Sequence, residues 1–338
     1  MLNVAIIGFG GIAKSQHFPA CKALEEEGLI KLTAICDLSK EKITEQIKIN
    51  NGESENISTE GIAIYTDWKE LLEKEKVDMV DICLPTYLHA EVSIAALNKG
   101  CHVMCEKPMS LSYSACQDMI SEAKKNNKKL MIGLCLRFCN KYLFLKKAIE
   151  ENTFGKVLSA TFDRISGPPV WGWDNWFLTY DKSHGCLNDM HIHDIDMARF
   201  LFGDPIKVSC HAQKVYCDKD IAHSTLVYPD FAVIATGDWS QKGINFKAEY
   251  CVAFEKATVI LKDNVVTVYP REGDAYVPEE TNNYTTNHYK ELKFFVEHIR
   301  DEEEITVNSP ESAALTEKLI EALTESSNNQ GEYVYFKA

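Results

Sequence analysis

The 338-residue chain has no Cys-x-x-Cys pair, no basic excess, and no apolar run reaching the ~18 residues that a membrane helix needs. Each absence excludes a class. Its 12 cysteines are scattered from Cys21 to Cys251, which argues against both a paired-thiolate metal site and a disulfide framework. Several lie inside apolar segments, where a free thiol behaves as a small hydrophobe. A reducing cytoplasm is therefore expected. Lys and Arg number 36 against 50 Asp and Glu, for a formal net charge of −14. Such a surface repels a phosphate backbone, so no nucleic-acid partner is expected. The opening Met1-Leu2-Asn3-Val4 has no basic region ahead of an apolar segment, so neither a secretory signal nor a membrane attachment is expected. No internal repeat or low-complexity linker is visible. What is present is 45% hydrophobic residues, enough for two domains with cores of their own.

The apolar pattern changes character partway along. Short strands are expected at Val4–Gly8, Lys31–Asp37, Ala63–Thr66, Met79–Leu84, Val103–Cys105 and Leu130–Cys135. Helices are expected between them: from about Gly11, over Lys40–Asn50, Trp68–Glu75, Ala90–Lys99, and Ser110–Asn126 with Ser110 as N-cap. That alternation means a parallel sheet of βαβ units. After a helix at Tyr142–Glu151, strands crowd together from Val157: Val157–Arg164, Val208–Val215, Ser224–Tyr228, Ala232–Trp239, Phe246–Phe254, Ala257–Lys262 and Val265–Tyr269. One helix interrupts them at Ile192–Leu201, and the tail returns to helix at Tyr289–Arg300 and Ser309–Ser326. The expected division is a Rossmann dinucleotide-binding domain over 1–136 and an α+β domain over 137–338, built on a large, open, mostly antiparallel sheet. The second domain would bind substrate. Its uncovered sheet face would join copies into a homodimer or homotetramer.

Gly8-Phe9-Gly10-Gly11-Ile12-Ala13 follows the first strand and opens a helix. Read as G-x-G-x-x-A, it is a phosphate-binding turn: Gly8 for tightness, Gly10 for close approach of the pyrophosphate, Ala13 for helix–strand packing. Asp37 ends the second strand, where an acid bonds ribose hydroxyls and repels a 2′-phosphate. NAD is the expected cofactor, and Lys40 nearby leaves NADP open. Leu84-Pro85-Thr86-Tyr87-Leu88-His89 is expected near the nicotinamide; the plainer alternative is a proline turn whose Thr86 or His89 caps the next helix. Lys107, in Cys105-Glu106-Lys107-Pro108, stands at the carboxyl edge of the sheet, where an open α/β fold places chemistry. Taken alone, a solvated lysine ending a strand is the commoner case.

A dense polar segment, Gly185 to Asp196, opens the helix of the second domain. On a helix Asp189 and His193, four apart, share a face, and His193 and Asp196 are neighbours. A histidine beside carboxylates is a good general base, because the acid orients the ring and stabilises its charged form. His191 and His193, two apart, diverge on a helix, so no metal is expected. A capping network around a buried histidine is the duller alternative. Trp171, Trp173 and Trp176 precede this segment; flat indoles suit carbohydrate faces, and a packed loop or subunit contact accounts for them equally.

Together these motifs resemble the glucose–fructose oxidoreductase / inositol dehydrogenase family (Gfo/Idh/MocA) over nearly the whole length. The resemblance rests on Gly8–Ala13, Pro85 to His89, Glu106-Lys107-Pro108, Arg137-Phe138 and Asp189…His193…Asp196. It implies that Lys107 and His193 contact the reacting hydroxyl and that Asp189 assists. The cofactor contacts expected are Gly8, Phe9, Gly10, Gly11, Ile12, Asp37, Leu84, Pro85, Thr86, His89, Glu106, Lys107 and Arg137. Substrate would meet Lys107, Trp171, Trp176, Asp189 and His193. Many members carry glycine where this chain has His191, a departure that bears on the pocket. The implied activity is NAD(P)-dependent oxidation of a secondary hydroxyl of a sugar, sugar derivative or cyclitol, or reduction of the ketone. Two rivals are an enzyme using tightly held NAD for transient oxidation before elimination or hydrolysis, and a non-catalytic cofactor-binding regulator. Loss of Lys107 or His193 would mark the regulator, and both are present.

Overall fold

A computed structural model of the chain describes every residue except 42, 46, 47, 50, 51, 54–56, 283 and 284. The first half runs β1 (Leu2–Ile7), a π-helical turn (Ala13–His17) continuing into α1 (Phe18–Glu26), β2 (Ile30–Cys36), the two-residue strands β3 (Lys48–Ile49) and β4 (Gly52–Glu53), then β5 (Ala63–Tyr65). It continues with α2 (Trp68–Lys74), β6 (Met79–Ile82), α3 (His89–Asn98), β7 (His102–Glu106), α4 (Tyr113–Lys125) and β8 (Leu130–Gly133). Six strands form a parallel sheet in the order β5-β2-β1-β6-β7-β8. The direction of build-up reverses beside β1, which makes the carboxyl ends of β1 and β6 the switch point where such sheets bind ligands.

The apolar runs follow from burial on both faces. In β1, Val4 and Ile6 join one core with Leu24 of α1, while Ala5 and Ile7 join another with Val92 and Met119 of α3 and α4. A slip of one residue would exchange the two sets, so this register is tightly specified.

The second half runs α5 (Asn140–Glu150), β9 (Val157–Ile165), α6 (Tyr180–Ser183), α7 (Gly185–Asp189), α8 (Ile192–Phe202), β10 (Lys207–Gln213), β11 (Ile221–Val227), β12 (Ala232–Asp238), β13 (Lys247–Phe254), β14 (Ala257–Lys262) and β15 (Val265–Pro270). The chain ends with α9 (Asn287–Arg300), α10 (Pro310–Asn328) and β16 (Val334–Tyr335). The second sheet has the order β15-β14-β13-β9-β12-β11-β10-β16. Its pairings are antiparallel except for β9 beside β12. One face packs Phe162, Leu226, Val252 and Val259 against Leu145 of α5, Ile195 of α8 and Leu319 of α10. On the strands' alternate positions Leu158 and Ile234 stay about half exposed, at 50% and 46%.

The chain divides into two compact units. One comprises 1–135, 171–176 and 285–314; the other comprises 136–170, 177–284 and 315–338. The expected single crossing at 136/137 thus gains two exchanged segments. Helix α9, expected with the second domain, supplies Leu292, Phe295 and Val296 to the α1 side of the parallel sheet. The helix expected at Lys40–Asn50 lies partly outside the described residues; turns at 41, 43 and 44 and the short strand β3 occupy the rest. The cap of α4 is Ser112, whose hydroxyl accepts the Ala115 N–H at 3.2 Å, and not Ser110. Among the described residues, no helix is long and apolar enough to cross a membrane.

Candidate active site

Gly8 and Gly10 differ in what holds them. Gly8 has φ +90°, and a Cβ there would stand 2.7 Å from the Cys83 carbonyl group. The close approach of the ends of β1 and β6 therefore requires glycine. A Cβ on Gly10 would meet no atom within 4 Å. The space beside Gly10 opens at the start of the helix that begins at Gly11, where unpaired N–H groups favour an anion. Phe9 and Ile12 turn their side chains into the core on the α1 side, Phe9 edge-on to Phe18 at 5.5 Å. Phe9 is buried, so only its backbone can serve a ligand.

Asp37 sits half-buried just past β2. Its Oδ2 accepts the Phe9 N–H at 2.9 Å and its Oδ1 accepts the Ser39 N–H at 3.2 Å. The acid is thus tied directly to the glycine turn. Thr86, in the loop after β6, is buried with an Oγ1 that has no partner. Open space at Gly10, an anchored acid and an orphan hydroxyl at the switch point are what a dinucleotide requires, so these residues fit NAD.

Two expected cofactor contacts have other work. His89 is buried, and its ring nitrogens lie 2.7 Å from the carbonyl oxygens of Leu84 and Pro108. Burial pulls its pKa down against the pull of those carbonyls. The ring ties the loop after β6 to the loop after β7 and is spent on protein. Glu106, at the end of β7, puts Oε1 2.9 Å from His17 Nε2 and accepts the Lys107 N–H on Oε2 at 3.1 Å. Burial opposes its charge, but the His17 hydrogen bond and charge prevail and bring its pKa to about 2. Lys107 follows, half-buried at the sheet edge.

His17 lies in the π-helical turn, with Nδ1 2.9 Å from Asp81 Oδ2. Neither His17 nor Asp81 was singled out from the sequence. Asp81 carried a signal: an acid inside the apolar strand Met79–Ile82, buried on both faces, must have a partner. His17 carried none, because its role depends on strands 64 and 89 residues away.

In the second unit, the segment expected as one helical face is split. Asp189 ends α7, and His193 stands half-buried in the first turn of α8. The two helices are joined by Met190 and His191, both in right-handed helical backbone. Asp196, three residues past His193 in α8, is engaged elsewhere: it accepts from Arg137 Nε at 2.9 Å and Nη2 at 2.6 Å, and from Thr316 Oγ1 at 2.8 Å. Arg137, expected at the cofactor, is buried in this ion pair, with its guanidinium 5.3 Å from the Phe200 ring. Asp194 pairs likewise with Arg164, both bonds at 2.9 Å. Arg137→Ala should leave Asp196 buried without its cation and cost ~3–5 kcal/mol. Urea unfolding monitored by far-ultraviolet circular dichroism measures that loss; a change under about 1 kcal/mol would contradict the pairing.

His191 is a core residue. Its Nε2 lies 3.0 Å from Ser224 Oγ, and it packs where a Gly237 Cβ would come within 2.7 Å of its own Cβ. Burial and nearby Arg164 lower its pKa to about 3, so it stays neutral. Of the tryptophans, Trp171 and Trp176 are half-buried and Trp173 is exposed. Asp174 and Asn175 between them hold φ near +51°, a conformation Asn and Asp tolerate better than most.

Residues 2–134 match the profile described as an oxidoreductase family with an NAD-binding Rossmann fold, and residues 142–260 match the GFO/IDH/MocA C-terminal domain. The chain is 30% identical to a myo-inositol 2-dehydrogenase of Thermotoga maritima over 321 residues, 89% of each chain. It is 28% identical over 211 residues to a D-glucoside 3-dehydrogenase of Escherichia coli, covering 62% of this chain and 57% of that one. Among solved structures, a levoglucosan dehydrogenase in complex with NADH and levoglucosan superposes with a TM-score of 0.83 over 100% of both chains, at 19% identity. That likeness is one of fold.

Proposed function

Because this chain belongs to the GFO/IDH/MocA oxidoreductase family, with an NAD-binding Rossmann fold in its first unit, we propose that it is a dehydrogenase acting on a secondary hydroxyl of a sugar, sugar derivative or cyclitol. The observation that carries this is the glycine turn tied to Asp37 at the switch point, with Lys107 at the same edge of the sheet. The relatives named as inositol and glucoside dehydrogenases support the substrate class.

When bound, NAD supplies the acceptor for the two electrons and the hydrogen removed from the substrate carbon. The protein's share is the hydroxyl proton and the negative charge left on oxygen. We assign the proton to His193, with Asp189 as its orienting acid, and the charge to the ammonium of Lys107. Trp171 and Trp176 offer flat apolar faces for a sugar ring. Gly8, Gly10, Gly11, Asp37 and the 84–86 loop hold the cofactor.

A panel of cyclitols, hexoses, polyols and glycosides, followed by NADH absorbance, tests the class. At least one cyclitol or sugar should give stoichiometric, freely released NADH. Silence across the panel, or product formed without NADH release, sinks the dehydrogenase assignment. Asp37→Ala should narrow the preference for NAD over NADP, since the acid would no longer oppose a 2′-phosphate. A wild type that prefers NADP would overturn that role. The half-exposed face of the second sheet is our candidate contact between copies, and a sedimentation equilibrium mass of one chain would refute it. Twelve cysteines outside any disulfide support a reducing cytoplasm; detection of the native protein in a secreted or membrane fraction would refute that location.

A further inference from the structure

His17, Glu106, His288 and Glu291 each offer a ligand atom, and these atoms all lie within 4.8 Å of one another. They come from three separate pieces of the first unit: the π-helical turn, the end of β7, and α9. None of the four was singled out as a metal ligand from the sequence. No metal was expected anywhere in the chain; the segment weighed as a metal site and set aside, around Asp189, His191 and His193, belongs to the other unit.

Glu291 is the observation that points to a ligand. It is fully buried, at 0% exposure, and neither carboxylate oxygen has a hydrogen-bond partner. Burying an acid with no partner is among the costliest arrangements a fold can hold. Here the cost is compounded, because Glu106 and Asp81 add two more acids around the single ring of His17. Held as a carboxylic acid, it still makes no hydrogen bond as placed. A divalent cation would satisfy Glu291 and Glu106 together.

The surroundings are arranged as metal sites are. A ligating histidine usually donates its other ring N–H to a carboxylate, which fixes the ring and the tautomer. His17 presents Nε2 to the cluster and Nδ1 to Asp81 Oδ2 at 2.9 Å. Glu106 presents Oε1 to the cluster while Oε2 is held by the Lys107 N–H at 3.1 Å. His288 and Glu291 are three apart on α9 and so share one helix face. Ligand bonds of 2.0–2.2 Å in a tetrahedron put ligand atoms about 3.4 Å apart. The His17–Glu106 separation of 2.9 Å would widen slightly, and the longer separations would close by rotation of the glutamate side chains.

We propose that these four side chains form a binding site for a divalent transition-metal ion, zinc foremost, that pins α9 to the end of β7. Two imidazole nitrogens and two carboxylate oxygens suit zinc and its neighbours. They are too few oxygens for calcium or magnesium. With four protein ligands the site is closed, so the ion would be structural. Its place beside Lys107 would fix the backbone that carries that lysine.

The test is metal content. The purified chain, incubated with excess zinc and dialysed against a weak chelator, should retain about one ion by elemental analysis. Glu291→Gln and the double variant Glu291→Gln, His288→Gln should retain none while keeping the wild-type circular dichroism. All twelve cysteines remain in the variants, so zinc held by thiols would persist in them. No retained ion in the wild type, or equal retention by the folded double variant, overturns the proposal. Should the variants not fold, cobalt on the wild type decides. Visible d–d bands without a thiolate-to-cobalt charge-transfer band support the two-histidine, two-glutamate set. A charge-transfer band would place the ion instead with Cys83, which groups with His17 and Asp81, and the absence of d–d bands would leave no site; either overturns it.

Discussion

Lys107→Ala and His193→Ala should each lower kcat by ~10²–10⁴ while leaving the dissociation constant for NAD within about threefold, since general acid–base groups supply that much. The reasoning starts from what each residue can do. Lys107 follows Glu106 at the carboxyl edge of a parallel sheet, half-buried, and its backbone is fixed by the carboxylate before it. An ammonium there can hold an oxygen as charge develops on it. The imidazole of His193, half-buried in the first turn of α8, is the group proposed to take the hydroxyl proton. If both serve one step, their losses will not add, and the double variant should fall little below the worse single variant. Multiplicative losses would mean two separate roles. A kcat unchanged in either single variant would remove that residue from the chemistry.

Strand and helix positions of both sheets were legible because they depend on local periodicity. The strand at Ala257–Lys262 matches residue for residue, and the other long strands differ by a few residues at their ends. Both faces of the first sheet are covered, so its strands read as apolar runs; the second sheet is covered on one face, so its strands alternate. Side-chain partners were not legible. Arg137 and Asp196 meet across 59 residues, and Arg164 and Asp194 across 30. Nothing in the local spacing of Asp194 or Asp196 distinguishes an acid that flanks a base from one that neutralises a distant arginine. The break between α7 and α8 falls at Met190 and His191, where no glycine or proline announces it. The meeting of the glycine turn with Asp37 was legible for the opposite reason. The glycine turn and Asp37 follow strands directly, and the parallel sheet brings the ends of those strands together.

Gly10→Val should weaken NAD binding by ~10-fold or more while changing stability by no more than about 1 kcal/mol. A Cβ at Gly10 meets no protein atom within 4 Å, so the folded unit has room for a side chain. The same room is where the pyrophosphate must approach the backbone, and a valine would occupy it. Gly8→Ala should behave in the opposite way. Its Cβ would stand 2.7 Å from the Cys83 carbonyl at φ +90°, where backbone strain of ~1–3 kcal/mol joins overpacking of ~1–3 kcal/mol. That variant should lose about 2–6 kcal/mol of stability, and NAD should recover part of it by binding only the folded state. Thermal unfolding with and without NAD, beside a titration followed by tryptophan fluorescence, separates the two. Wild-type NAD affinity in Gly10→Val would show that the pyrophosphate does not lie on this turn. Wild-type stability in Gly8→Ala would show that β1 and β6 can part without cost.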